Sequence, residues 1–195
     1  MHRTLSVAVL AAMATAAAAN EKMVGTPGSK VEYPAAIKES VGAKPTEMKL
    51  TGTGLRTKAI FSVYAIASYV AEASTVKTPA ELASADVPKR LHLVMEREVA
   101  GKDMSDNIRS GIGGNHPGEF AEELKALDEY CSKLTLKKGQ HVRLTHTPGV
   151  GLTALIGDSQ ALEIPNVKFS VAIWEIYLGK KPLNDKLKKN LVARM

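Results

Sequence analysis

Arg56 is the residue of this sequence placed where its type could do the most chemistry. It lies in Gly52-Thr-Gly54-Leu55-Arg56-Thr57-Lys58, and directly behind it the eleven residues from Ala59 to Tyr69 carry no charge. A guanidinium delivered to the end of the most apolar segment is either a solvated strand-end charge or the anchor that holds an anion at the head of an apolar pocket. The other reactive types are less well placed. A single cysteine, Cys131, excludes an intrachain disulfide, and it falls on an apolar helical stripe, where it reads as a small buried hydrophobe rather than a thiolate nucleophile. His141 and His146 are five apart in an expected strand, so they point to opposite faces and do not make a metal site. Gly52-Thr-Gly54 lacks a third glycine and leads into a strand instead of a helix, which excludes a dinucleotide site; no cofactor is implied.

These residues must be positioned by the elements around them. The two glycines let the backbone turn tightly or pass close to a neighbour. Ala59–Val70, rich in Ile, Val and Tyr with no Gly or Pro, reads as a buried strand or strand pair, fed by a strand at Met48–Leu50. Val31–Ile37 reads as a short edge strand and Arg90–Arg97 as another strand. A brief helix opens at Pro79, where a missing N–H costs nothing. A helix is expected over Lys102–Ser110, with Met104, Ile108 and Ile112 on one stripe and a break at Gly111, Gly113 and Gly114. A stronger helix follows from Pro117, striped by Phe120, Leu124, Leu127, Cys131 and Leu134. Gln140–Thr145 and Gly151–Ile156 flank the Thr147-Pro-Gly149 turn as a hairpin, and Leu162–Ile164 is a further short strand. Two helices close the chain, the first carrying Phe169, Ala172, Ile173, Ile176 and Tyr177 on one face and ending at Gly179. The order reads as α+β, a mostly antiparallel sheet with helices layered on one side.

The N-terminus reads as an address. A basic start is followed by Leu5–Ala19 without charge and by Ala17-Ala-Ala19, the layout of a signal peptide at residues 1–19. The stretch is too short and too rich in Ala for a membrane anchor, and no later stretch could span a bilayer. Residues 20–30 read as a flexible polar leader and 31–195 as a single domain, so the expected location is the periplasm or the exterior. Loss of Arg3 leaves 25 of the 26 basic residues against 20 acidic ones, a net charge near +5. That surplus is diffuse and not interleaved with aromatics, so nucleic acid is not an expected partner.

Gly-x-Gly-Leu-Arg-x-Lys-x-x-Phe-x-Val-Tyr-x-x-x-x-Tyr, from Gly52 to Tyr69, resembles the signature of bacterial chalcone isomerase-like proteins, relatives of the plant chalcone isomerases and plastid fatty-acid-binding proteins. The resemblance extends to Val31-Glu-Tyr-Pro34 upstream and to Phe169–Gly179, Pro182-Leu183 and Leu187-Lys188 downstream. It implies a large antiparallel sheet with helices against it and a ligand cleft between, with Arg56 at the place of the arginine that receives the ligand's anion. It also implies that the enzymes' hydrogen-bonding Tyr, Asn and Thr positions fall at Met104, Gly111 and Ile176, with a further Thr near Ala59. No catalytic residue is assigned in consequence, since loss of even one such donor can cost on the order of 10²–10³ in rate.

The resemblance implies a ligand site of Arg56 with Tyr64 or Tyr69, and a cleft lined by Met104, Ile108, Gly111 and Ile176. Tyr64 and Tyr69 are five apart, so only one of them can face the cleft. The expected function is non-catalytic binding of a fatty acid or similar apolar carboxylate. The alternatives are an intramolecular lyase or isomerase acting on an unidentified substrate, and an accessory protein whose cleft is filled by its own side chains.

Overall fold

The computed structural model describes residues 22–157 and 159–195. The signal peptide expected at residues 1–19 lies outside them. Within the expected leader a strand forms: β1 (Met23–Gly25) pairs antiparallel with β2 (Glu32–Pro34). The expected edge strand over 31–37 is therefore split. β2 belongs to this two-stranded ribbon, while β3 (Ala36–Val41) lies at one edge of the main sheet.

The glycine motif sits inside a strand and not at a turn. Residues Lys44–Lys58 form one long strand, β4, which from Met48 onward pairs with β5 (Phe61–Ala71). The chain reverses instead at Ala59 and Ile60, with Ala59 at a positive φ of 52°. The glycines serve close approach. A Cβ on Gly52 would lie 2.1 Å from the Asn190 carbonyl oxygen, and one on Gly54 would lie 2.4 Å from Leu187 Cδ1. Both neighbours belong to the last helix, which is thereby seated directly on β4. Thr51 fastens the contact, its hydroxyl donating to the Leu191 carbonyl at 2.8 Å.

After β5 come α1 (Pro79–Ser84), β6 (Lys89–Met95) and the short β7 (Val99–Ala100). The start of α1 is set by a capping box between Thr78 and Glu81. The next helix, α2 (Gly101–Asn115), runs through Gly111, Gly113 and Gly114 where a break was expected. Each interior glycine costs about 1 kcal/mol relative to Ala, but burial of Met104 and Ile112 and close packing of Gly111 on Ile176 hold the helix. The following helix starts later than Pro117: α3 (Ala121–Cys131) begins after Phe120, whose φ of 65° is left-handed. Leu124, Leu127 and Cys131 are buried on its inner stripe.

The chain then forms β8 (Thr135–Leu136), β9 (His141–Thr147), β10 (Gly151–Ile156), β11 (Leu162–Ile164), α4 (Val167–Leu178) and α5 (Asp185–Leu191). The main sheet has seven antiparallel strands in the order β11-β10-β9-β6-β5-β4-β3. The fold is α+β, with the helices layered on one side. Strand alternation sorts the core: Tyr64, Ile66 and Val70 join the helix-side cluster around Trp174, while Ala65, Ala67 and Tyr69 join a second cluster with Tyr33 from the small ribbon.

Gly52→Ala should cost more than ~2 kcal/mol in denaturant unfolding, because a backbone oxygen occupies the space of the new Cβ. Gly113→Ala, where nothing lies within 4 Å, should instead stabilise by up to ~1 kcal/mol. Equal effects at the two positions would contradict the seating of α5 on β4.

Candidate functional site

The register of β4 and β5 builds the site. Arg56 is paired opposite Tyr64, so the two side chains emerge on the same face, toward the helices. The ladder shifts between Arg56 and Thr57, which leaves Val63 as the extra residue of a bulge on β5 at that point. Here the sheet, the start of α2 and the end of α4 enclose a cavity of about 330 Å³. Val63, Val99, Met104, Ile108, Ile176 and Leu183 form apolar walls. Arg56, Tyr64 and Tyr177 supply polar groups, while Lys58, Arg97, Asp103, Asp106 and Asn107 also border the space.

The expected site residues do not all meet. Arg56, Tyr64, Met104, Ile108 and Ile176 line this cavity. Tyr69 does not: it points through the other face of the sheet and donates its hydroxyl to the Pro34 carbonyl at 2.9 Å. Gly111 is also absent from the lining, since the space beside its Cα is filled by Ile176, whose Cγ2 would lie 2.8 Å from an added Cβ. Ala59 is exposed at the hairpin turn.

Tyr177 is the residue that sequence reasoning left out. It was legible only as one apolar-face member of a terminal helix, because its partner is 113 positions away. The Tyr64 and Tyr177 hydroxyls are 3.0 Å apart. Burial raises the pKa of both phenols, against a lowering pull from the Arg56 charge, so both are protonated at neutral pH. The pair uses one O–H between its members and keeps a second for a ligand. Arg56 is half-buried and donates through Nη1 to the Thr57 carbonyl at 2.5 Å. Among the described residues no carboxylate forms an ion pair with it. The site thus offers permanent cations, Arg56 among them, and a phenolic donor beside apolar walls, a set suited to an oxyanion carried on an apolar body.

A second constellation was not legible in sequence. His146 Nδ1 is 2.8 Å from the Ser170 hydroxyl, and its Nε2 is 2.9 Å from Asp86 Oδ1. The order of groups is that of a nucleophile, base and acid, but Ser170 and His146 have no exposed surface, so no substrate can touch the hydroxyl. The network instead ties the loop before β6 to β9 and α4. Lys89, equally buried, donates to the carbonyls of Leu82, Ala83 and Ala85 and so closes the C-terminal end of α1. Among the described residues no group of three His, Cys, Asp or Glu side chains could hold a metal ion. Nor is any described helix long and apolar enough to cross a membrane.

The family model described as chalcone isomerase-like matches residues 31–193. The chain belongs to the chalcone isomerase-like family. Among solved structures, the family fold is shared with the Arabidopsis thaliana fatty-acid binding protein AtFAP1, at a TM-score of 0.68 and 16% identity over 88% of this chain and 96% of that one. At that identity the likeness bears on the fold alone. A search of curated proteins by sequence gave no match.

The tyrosine pair is open to a double-mutant cycle. Tyr64→Phe or Tyr177→Phe alone should each cost about 1 kcal/mol in denaturant unfolding, by leaving one buried hydroxyl without its partner. The double variant should lose less than the sum of the two. Strict additivity would mean that the hydroxyls do not interact.

Proposed function

We propose that this chalcone isomerase-like protein is a non-catalytic binder of a fatty acid or similar apolar carboxylate, held with its head at Arg56 and its tail along Met104, Ile108 and Ile176. One observation carries the reading: Arg56 has no counter-ion from the described residues, yet it borders an apolar cavity beside a buried, protonated tyrosine pair. A carboxylate would meet the guanidinium in bidentate fashion and accept the spare phenolic proton. The likeness to a protein named as a fatty-acid binding protein supports the same ligand class.

The cavity limits the ligand. At ~30 Å³ per CH₂-sized group, the volume of a water molecule in the liquid, 330 Å³ holds about ten such groups. Burial at ~0.8 kcal/mol per CH₂ gives about 8 kcal/mol gross, from which association subtracts several. A medium-chain acid binding with a micromolar constant is the expectation. The open space argues against a cleft filled by the protein's own side chains.

Tyr64, Tyr177 and Asn107 give the isomerase reading some support, because they are donors additional to Arg56. Against it, two of the four positions implied for enzymatic donors, Met104 and Ile176, present apolar side chains to the cavity; Gly111 has no side chain and faces Ile176, and Ala59 is exposed at the hairpin turn. Turnover of chalcone, followed by its absorbance and abolished in Arg56→Ala, would establish the isomerase reading in place of the binder. Export through the leader at residues 1–19, which the bacterial resemblance fits, completes the proposal: N-terminal sequencing of exported protein should begin near Asn20, and a cytosolic protein starting at Met1 would overturn it.

The direct test is calorimetric titration of delipidated protein with medium- and long-chain fatty acids. Arg56→Lys keeps the charge but loses the planar fork, and should bind about tenfold more weakly. Arg56→Ala should bind at least ~30-fold more weakly, with melting temperatures close to wild type because the residue is on the sheet's rim. Variants that bind as well as wild type, or a wild type that binds no carboxylate, would remove Arg56 from the role.

A further inference from the structure

The turn between β4 and β5 carries two adjacent large apolar side chains in water. Ile60 is 89% exposed and Phe61 57% exposed, although Lys58, one residue before the Ala59–Ile60 turn, is a strand residue that borders the cavity. Isolated exposed hydrophobes are ordinary on protein surfaces, but this is an adjacent pair at the tip of a hairpin, and neither residue packs into either apolar cluster of the described residues. Cations flank the pair. Lys58 precedes the turn, and the Arg97 guanidinium lies over the Phe61 ring, 5.8 Å from its centroid. Lys58 and Arg97 both border the cavity that Arg56 heads. Of the two acids on the same rim, Asp106 is paired with Lys102, which leaves Asp103 against the three cations.

An apolar tip with cations set just behind it matches the layering of an anionic bilayer, where hydrocarbon lies beneath a plane of phosphates. We propose that the β4–β5 turn docks this protein on an anionic lipid surface, with Ile60 and Phe61 entering the acyl boundary and Lys58 and Arg97 meeting the lipid phosphates. The cavity mouth is thereby held at the membrane, where a fatty acid can pass between bilayer and protein without crossing water. This purpose rests on the carboxylate-binding reading; the docking itself does not, because it is measured with no fatty acid present.

The experiment uses the full chain on vesicles of phosphatidylcholine, alone or mixed with phosphatidylglycerol. Co-sedimentation of wild type should be at least ~tenfold stronger on the mixed vesicles, from about 1 kcal/mol for each cation near the surface. Ile60→Ser/Phe61→Ser should lose at least ~tenfold in binding to them, while its calorimetric binding of soluble fatty acid stays as in wild type. Residues 1–19 are the same in wild type and the double variant, so the difference between those two chains on the mixed vesicles reports the turn. A direct readout comes from Ile60→Cys labelled with an environment-sensitive fluorophore. Cys131 is buried and its thiol is pushed up by burial to about 11, so the label goes to position 60. The emission should shift to the blue on mixed vesicles. Equal sedimentation of wild type and the double variant, equal binding to both vesicle types, or an unshifted emission each overturns the docking.

Discussion

The pairing of Arg56 with Tyr64 across β4 and β5 is the constraint on which the site depends. A one-residue slip in that register would carry Arg56 to the other face of the sheet, away from the helices and the cavity. Two features hold it. α5 sits directly on Gly52 and Gly54, which fixes β4 from above, and Tyr64 is tied to α4 through the Tyr177 hydroxyl. Sheet, α4 and α5 therefore agree on one position for the guanidinium. Its charge has no ion-pair partner among the described residues and borders the apolar walls of the cavity.

The buried polar groups elsewhere show what a satisfied interior looks like in the same molecule. Lys89 has three carbonyl acceptors and His146 has a partner on each nitrogen. Burial lowers the Lys89 pKa to about 7 and also lowers that of His146. These groups are closed networks that brace α1, β9 and α4. Arg56 differs in having spare donors next to open space, and that contrast separates the candidate site from the structural polar clusters better than residue type does. Ser170, His146 and Asp86 illustrate the point, since their types suggest catalysis and their burial excludes access.

Much of the fold was legible in the sequence because it rests on local periodicity. The alternation in β9 and β10, the stripe of α3 and the apolar face of α4 each follow from residues close in the chain. The errors fell where a distant contact decides. The glycine motif was compatible with a turn or a close approach, and only α5, more than 130 residues later, selects the second. Gly111, Gly113 and Gly114 signal a helix end locally, yet Ile176 of α4 fills the space beside Gly111 and α2 continues. Arg56 was conspicuous through its position before an apolar run. Tyr177 was not, because a tyrosine on a buried helix face carries no mark of its partner, and Tyr69 was a candidate only until the faces of β5 were known.

In the proposed complex, Arg56 holds an ionised carboxylate at the head of the cavity. The measurement closest to it is the titration of a fatty acid labelled at its carboxyl carbon, followed by carbon NMR while bound to the protein. A carboxylate paired with a guanidinium has its ionised form favoured. The bound acid should therefore stay ionised well below the ordinary carboxylate range, near ~4, and should lose that protection in Arg56→Ala. A bound carboxyl that titrates at or above its value in water, unchanged by Arg56→Ala, would place the head group away from the arginine and contradict the account.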